Sequence, residues 1–374
     1  MTRKLRVCII ADAVDEAYAG VSTYATELIP RLAPLAPDME FTFLHSRPNP
    51  FFSGQAEIIL PVHRSSPLRV LFRKFLRTPS ALRKGGFDLI HDLFHFPPFA
   101  FQDFPCTKIV TLHDLTPLIH PEWHTASTVL AHQLFMPRVC RRAHRIIADS
   151  RATADDIERF YRVGAERLRV VPLAPKQMPR IERSASASSR PSVLFVGTLE
   201  PRKNISLLVD AFERLRSGGQ DAELVLAGRA GWRTGAIFER MSSSVFRADI
   251  RHVRNADDHQ LAALYASAAV LVFPSLYEGF GLPVLEAMQM GCPVIASNRS
   301  SLPEVAGGAA LLVDPEDADA LAKSMATILQ NPAEAARLAQ AGSRRAQEFS
   351  WERTARETLA VYREFARRGA DPCL

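Results

Sequence analysis

Two glutamates and two glycines follow one short apolar run closely enough to serve one ligand. The string is Pro274-Ser275-Leu276-Tyr277-Glu278-Gly279-Phe280-Gly281-Leu282-Pro283-Val284-Leu285-Glu286, directly after residues 270–273. Glu278 then stands in a loop at a strand's carboxyl end, and Gly279 and Gly281 let a ligand approach the backbone. Pro283 suits the first turn of a helix, so the N–H groups around Phe280, Gly281 and Leu282 could receive a phosphate or sugar oxygen. Glu286, one turn in, can accept hydrogen bonds from two vicinal hydroxyls. The plainer alternative, early acids offsetting a helix dipole, explains one glutamate better than it explains the whole string.

A second string, Leu194-Phe195-Val196-Gly197-Thr198-Leu199-Glu200-Pro201-Arg202-Lys203-Asn204, also ends a strand in glycine and opens a helix with two cations. Cations there oppose the macrodipole, and a bound anion such as a diphosphate would resolve the conflict. The pair is expected at the surface. In the first half, Tyr18-Ala19-Gly20-Val21-Ser22-Thr23-Tyr24 follows strand one and opens a helix, while Thr111-Leu112-His113-Asp114-Leu115-Thr116-Pro117 sets a histidine at a strand's carboxyl end.

These strings sit in a regular alternation. Strands are expected at 7–10, 41–44, 89–90, 109–112, 146–148 and 170–171, and again at 193–196, 224–227, 250–253, 270–273, 294–296 and 310–313. Helices are expected between them, at 23–32, 205–215, 259–266 and 283–290. Such alternation means parallel sheets with crossover helices, and two series imply two sheets. The expected division is a first domain over 1–180, a Ser- and Pro-rich linker over 181–191 and a second domain over 192–350. A terminal helix over 351–368, with Trp351, Ala355, Leu359, Tyr362 and Phe365 on one face, packs on a sheet and is expected to complete the first domain. Ligands of open α/β sheets bind outside the carboxyl ends of strands, where Gly20, His113, Gly197, Arg202 and Glu278 all fall.

Composition excludes other classes. With 374 residues, 47% hydrophobic and 23% charged, the chain can bury two cores. No apolar run approaches the roughly 18 residues of a membrane span, and the N-terminus lacks the form of a signal peptide, so the expected location is the cytoplasm. The five cysteines (Cys8, Cys106, Cys140, Cys292, Cys373) have no paired spacing, which argues against disulfides and zinc. Histidines 91, 95, 113, 120 and 124 fit no helical ligand pair except His120 and His124, which flank Pro121. Asp317-Ala318-Asp319 matches a metal-binding Asp-x-Asp pattern but lies where acids crowd a helix start. No metal is expected. The positive charge is concentrated: residues 1–185 hold 25 Lys and Arg against 18 Asp and Glu. Residues 64–84 carry seven basic side chains and no acid, with Leu68, Leu71, Phe72, Phe75 and Leu76 on one helical stripe and Arg69, Arg73 and Arg77 on another. That is the form of an interfacial helix on an anionic membrane, with packing of the stripe on the first sheet as the alternative.

The two strings of the second half, with Ser297-Asn298 to Glu304-Val305 and Gly307 to Pro315, are similar to the retaining family 4 glycosyltransferases. The resemblance implies a GT-B fold, two facing Rossmann-like domains with an interdomain cleft, the first serving the acceptor and the second a nucleotide-sugar donor. By position it assigns Glu278 to the donor sugar hydroxyls, Glu286 to the nucleotide ribose and Arg202 and Lys203 to the diphosphate. Gly20 and Val21 would touch the diphosphate, since Ser22 stands where many relatives have a second glycine, and His113 would lie against the donor sugar. The string His113 to Pro117 is particularly similar to a bacterial subset that transfers mannose in polysaccharide assembly. The implied reaction moves a hexose, mannose from GDP-mannose, to a hydroxyl of a glycan or lipid-linked glycan, with no divalent metal and no nucleic-acid partner, at the inner face of the membrane. A transferase using a UDP- or dTDP-sugar, a nucleotide-sugar epimerase or phosphorylase on a similar scaffold, and a non-catalytic sugar-nucleotide or glycan binding protein are the alternatives. A dinucleotide dehydrogenase is disfavoured, because no Gly-x-Gly-x-x-Gly follows either first strand.

Overall fold

The computed structural model describes residues 3–15, 19–62, 73–94, 98–100, 102–179, 181 and 190–366. The chain folds as two compact units. One comprises Met1–Pro121, Thr125–Leu173 and Trp351–Leu374, the other Glu122–His124 and Ala174–Ser350.

The strands of the first unit are β1 (Leu5–Ile10), β2 (Met39–His45), β3 (Ala56–Ile59), β4 (Leu89–Asp92), β5 (Thr107–Leu112), β6 (Arg145–Ala148) and β7 (Leu168–Val170). They form one sheet in the order β3-β2-β1-β4-β5-β6-β7, every neighbouring pair parallel. The second unit holds β8 (Ser192–Val196), β9 (Glu223–Ala227), β10 (Ile250–Val253), β11 (Val270–Phe273), β12 (Val294–Ser297) and β13 (Leu311–Val313). Their order is β10-β9-β8-β11-β12-β13, again all parallel. Both orders reverse direction beside the unit's first strand, the doubly wound pattern. Parallel strands covered on both faces read as unbroken apolar runs, and all four residues of β11 are buried.

The sequence pattern locates each expected strand and misses β3. That segment, Ala-Glu-Ile-Ile, is an edge strand whose first two residues are exposed, so it lacks the apolar run that marks the others. The expected helices are present as Ala19–Leu35, Ile205–Ser217, Asp258–Ser267 and Leu282–Gln289.

The stretch 64–84 departs from expectation. Residues 63–72, with Arg64, Arg69, Leu68, Leu71 and Phe72, lie outside the described residues. From Arg73 the chain makes a π-turn, Arg73–Arg77, and then the helix Thr78–Gly85. Arg73 is not on a solvated face. It is buried, donates two 2.7 Å bonds to the Asp12 carboxylate and a third from Nε to the Leu60 carbonyl. A pairing this complete compensates a buried guanidinium, and it removes Arg73 from any membrane-facing row.

The helix Trp351–Ala366 packs with the first unit, burying Trp351, Ala355, Leu359 and Tyr362. Its polar anchor is Tyr362 Oη, 2.6 Å from His91 Nδ1. His91 Nε2 lies 2.9 Å from Thr111 Oγ1, which in turn lies 3.0 Å from Tyr24 Oη. Burial pushes the His91 imidazole down to about 3. It is therefore neutral, with one donor and one acceptor to satisfy inside the core. Tyr362→Phe removes one partner and leaves a buried nitrogen unsatisfied, which costs about 1–3 kcal/mol. Urea denaturation should show that loss; a variant as stable as the wild type would mean the network contributes nothing to holding the helix.

Candidate active site

The site of the second unit is built at the reversal point of its sheet, between the ends of β8 and β11. β8 ends in Gly197, whose φ of 152° is easy only for glycine. Beside it, a Cβ on Gly228 would lie 1.9 Å from the Gly197 carbonyl oxygen, so the chain past β9 can come this close only without side chains. The chain past β8 then makes a 3₁₀ turn, Pro201–Lys203, and Asn204 turns left-handed (φ 57°) into the helix Ile205–Ser217. Asn204 Nδ2 donates to the carbonyls of Pro274 (3.3 Å) and Pro315 (2.6 Å), and the Leu276 amide donates to the Arg202 carbonyl at 2.9 Å. The loops after β8 and β11 are thereby bound to each other.

Their side chains meet as an ion-pair group. Lys203 Nζ donates to Glu278 Oε1 at 2.5 Å and stands 5.0 Å over the Phe273 ring. Arg202 Nη1 donates to Glu278 Oε2 at 2.9 Å and to the Tyr277 carbonyl at 3.1 Å. Its Nε and Nη2 donate to Glu200 Oε1 at 3.1 and 2.8 Å. The basic pair is thus not the surface pair expected: Lys203 keeps 9% side-chain exposure and Arg202 16%. Their charge is balanced within the protein by two buried carboxylates. Burial alone would raise the Glu278 carboxyl, but Arg202 and then Lys203 bring it below the usual carboxylate range, so it is ionised.

The glutamate loop is held from below. Ser300 Oγ accepts from the Glu278 amide at 2.8 Å, and Ser301 Oγ, buried, lies 3.0 Å from the Glu278 carbonyl and 2.7 Å from that of Phe280. Ser300 adopts φ 51°, a left-handed conformation uncommon outside glycine, which the clamp stabilises. Gly281 caps the helix Leu282–Gln289 at φ 111°, where a Cβ would meet Leu302 Cδ2 at 2.7 Å. The Phe280 side chain is buried edge-on against Phe349, and the Leu282 side chain is buried too, so both could serve a ligand only through their backbone N–H groups. Gly279 lies in the same buried turn. Glu286, on the helix, accepts from Tyr265 Oη at 2.9 Å. Burial pushes its carboxyl up to about 7, with Tyr265 opposing.

In the first unit, Gly20 and Val21 open the helix Ala19–Leu35, Gly20 exposed and Val21 half-buried. His113 follows β5. Its Nδ1 lies 2.6 Å from Asp149 Oδ2, and its Nε2 lies 3.0 Å from the Leu93 carbonyl. Both partners accept only, so the ring donates twice as an imidazolium. Burial opposes that charge, but Asp149 prevails and raises the group above its ordinary value. With both nitrogens engaged, a sugar hydroxyl reaches the side chain only by displacing the Leu93 carbonyl. Asp149, Glu200, Tyr265, Ser300 and Ser301 were not anticipated. Asp149-Ser150 does follow the short apolar run of β6, a signal of the same kind that marked His113.

Of the metal-like patterns, Asp317 caps the helix Ala318–Gln330, accepting from the Ala320 amide at 2.9 Å, and Asp319 pairs with Arg214 at 2.8 Å. His95 lies outside the described residues. Among the described residues no helix is long and apolar enough to cross a membrane.

Two Rossmann-like parallel sheets with this charged group at the second one's reversal point define a protein of the GT-B glycosyltransferase class. Residues 179–345 match the model of glycosyl transferases group 1, and residues 18–174 that of glycosyltransferase family 4. The chain is 28% identical to O-antigen chain mannosyltransferase B of Escherichia coli, across 96% of this chain and 100% of that one. It is 34% identical to the MMP alpha-(1->4)-mannosyltransferase of Mycolicibacterium hassiacum, across 75% of this chain and 71% of the relative. The sucrose-phosphate synthase structure from Thermosynechococcus elongatus superposes with a TM-score of 0.76 at 25% identity, covering 98% of this chain and 100% of that one. The chain belongs to the group 1, family 4 glycosyltransferases.

Removing Lys203 should cost stability. Breaking a buried ion pair from one side costs about 3–5 kcal/mol, and Arg202 remains to hold Glu278, so Lys203→Ala should fall near the lower bound. Chemical denaturation of the purified variant checks this. Wild-type stability would mean that Lys203 is solvated and the ion-pair group is not a structural unit.

Proposed function

We propose that this glycosyltransferase moves mannose from GDP-mannose to a hydroxyl of a glycan or lipid-linked glycan, with retention at the anomeric carbon. The observation that carries the reading is the Arg202–Lys203–Glu278 group, set where a doubly wound sheet presents a nucleotide ligand. The mannosyl donor is favoured by the relatives named above, both mannosyltransferases.

In the reaction the bond between the anomeric carbon and the diphosphate oxygen breaks, the acceptor oxygen takes its place on the same face, and the acceptor's proton passes to the departing diphosphate oxygen. Arg202 and Lys203 stabilise the negative charge that builds on the departing diphosphate, assisted by the N–H groups at the start of the helix Leu282–Gln289. That gives to side chains the role a divalent ion serves elsewhere, so no metal cofactor is assigned. Glu278 fixes the sugar hydroxyls and Glu286 the ribose. Gly20, Val21 and His113 contribute from the first unit, and the acceptor is met from the cytoplasmic side of the membrane.

The decisive assay is acceptor-dependent release of GDP from GDP-mannose, with UDP- and dTDP-sugars in parallel and EDTA in excess. Arg202→Ala should lower turnover by about 10²–10³, as losing one preorganised donor to developing charge does. Release without any glycan acceptor, or activity abolished by EDTA and restored by magnesium, would overturn the reading.

Glu286 adds a pH signature. Its carboxylate is the form that accepts ribose hydroxyls, and with its carboxyl raised to about 7 that form is scarce at lower pH. GDP affinity should therefore rise with pH through about 7 and then level off. Calorimetry across that range checks it, with Glu286→Gln as the control for the ionisation of GDP itself. If the variant keeps the wild-type slope, Glu286 does not bind the ribose.

A further inference from the structure

The reversal point of the first sheet holds a polar cavity. The strand order turns between β1 and β4, whose carboxyl ends are Ile10 and Asp92. The rule that places the charged group of the second unit places a ligand of this unit there too. A cavity of about 40 Å³ lies at that point, lined among the described residues by Asp12, Arg73, Thr78 and Asp92, with Ile10, Phe94 and Pro98 adding apolar surface. One water needs about 10–15 Å³, so the cavity admits the hydroxyl-bearing edge of one sugar ring and not a whole ring. Its polar lining is withdrawn from solvent: Arg73 and Thr78 are each 4% exposed and Asp92 3%. Thr78 Oγ1 is buried without a hydrogen-bond partner, a state that native cores seldom leave a hydroxyl in. The Asp12 carboxylate takes two 2.7 Å bonds from Arg73, about half of what a carboxylate can accept. Asp92 brings a second carboxylate, which accepts from the Phe94 amide at 2.7 Å.

We infer, resting on the transferase reading above, that this cavity receives the hydroxyl edge of a neutral sugar at the end of the acceptor and refuses a phosphate or carboxylate there. Charge decides the class. Two carboxylates face one guanidinium, and Arg73 is spent on Asp12, so an anion meets a lining of its own sign. Hydroxyls meet complementary groups instead: the carboxylates accept from them, and Thr78 Oγ1 can donate or accept. Phe94 and Pro98 suit the C–H face of a pyranose. The cavity is also tied to the residue given to the transferred sugar. Leu93 stands between Asp92 and Phe94, and its carbonyl lies 3.0 Å from His113 Nε2. An acceptor held here must already end in an uncharged sugar. An earlier transfer of such a sugar has to supply it, and this enzyme extends a glycan rather than starting one on a lipid phosphate.

The test uses the full chain and saturation-transfer NMR, with the methyl α-glycosides of mannose, glucose and galactose and with mannose 6-phosphate as probes. The wild type should bind at least one of the neutral glycosides and not the phosphate. Thr78→Val removes a hydroxyl that bonds nothing in the free protein, so melting temperature and GDP affinity should stay at wild type while glycoside affinity falls about two- to ten-fold, the loss of one hydrogen bond. Thr78→Ser should restore it. Asp92→Asn keeps an oxygen for the Phe94 amide and removes the repelling charge, so mannose 6-phosphate should gain at least about ten-fold. Four results would each overturn the inference: no glycoside binding by the wild type, equal binding of the phosphate, glycoside binding untouched by Thr78→Val, or a less stable Thr78→Val protein, which would give the hydroxyl a structural partner. Glycoside binding and sugar transfer are read separately. Failure of the transferase reading would show as absent GDP release from GDP-mannose with Thr78-dependent glycoside binding intact.

Discussion

A carboxylate shared between a lysine and an arginine, all three withdrawn from water, sets terms for the rest of the second unit. Removing Glu278 from solvent is tolerable only while Lys203 and Arg202 stay within hydrogen-bonding reach, and Arg202 is itself steadied by Glu200. These residues come from two loops that leave neighbouring strands, so the group survives only if the strand ends are fixed to within fractions of an ångström. The neighbouring features serve that end. Gly197 and Gly228 let two backbones touch, Asn204 fastens one loop to the other, and the serine pair holds the glutamate loop, Ser300 at the Glu278 amide and Ser301 at the Glu278 and Phe280 carbonyls.

The two sheets share a topology and differ in what they do with it. Past β8 and β11 the charges gather into one balanced group. In the first unit they separate into local pairs, Asp12 with Arg73 and His113 with Asp149, and a third acid, Asp15, accepts from Ser46 and Asn49. Each pair satisfies itself within its own unit. The topology supplies the positions, and the side chains decide what is held there.

Much of this could be read from residue order. A short apolar run marks a parallel strand, and the loop at its carboxyl end is where Gly197, His113 and Glu278 fall. What could not be read was pairing. Glu200 stands two residues before Arg202 and looks like part of the turn, and Asp149 is 36 positions from His113. Arg73 at helical spacing reads as solvated, because nothing local tells that Asp12 lies against it in space. The edge strand β3 was missed for a related reason: its first two side chains face water, so its sequence carries no run. Periodicity reports on burial, whereas partners of charges depend on contacts far apart in the chain.

The balance of charges bears on how such a group can act on a leaving diphosphate. Bare cations would bind any phosphate tightly, substrate and product alike, and uniform binding adds nothing to the chemical step. Here the cations are already engaged by Glu200 and Glu278, so the diphosphate of an intact donor gains less by competing for them than the more highly charged departing one. As the bond to the anomeric carbon lengthens, charge accumulates on the diphosphate and the competition shifts in its favour. Lys203 has three N–H bonds to offer and Glu278 takes one, so the ammonium can turn toward that charge without abandoning its carboxylate. Under the proposed function, the ion pairs that keep the resting site neutral also fix Glu278 for the sugar, so that holding the donor and stabilising its departure would fall to one set of contacts.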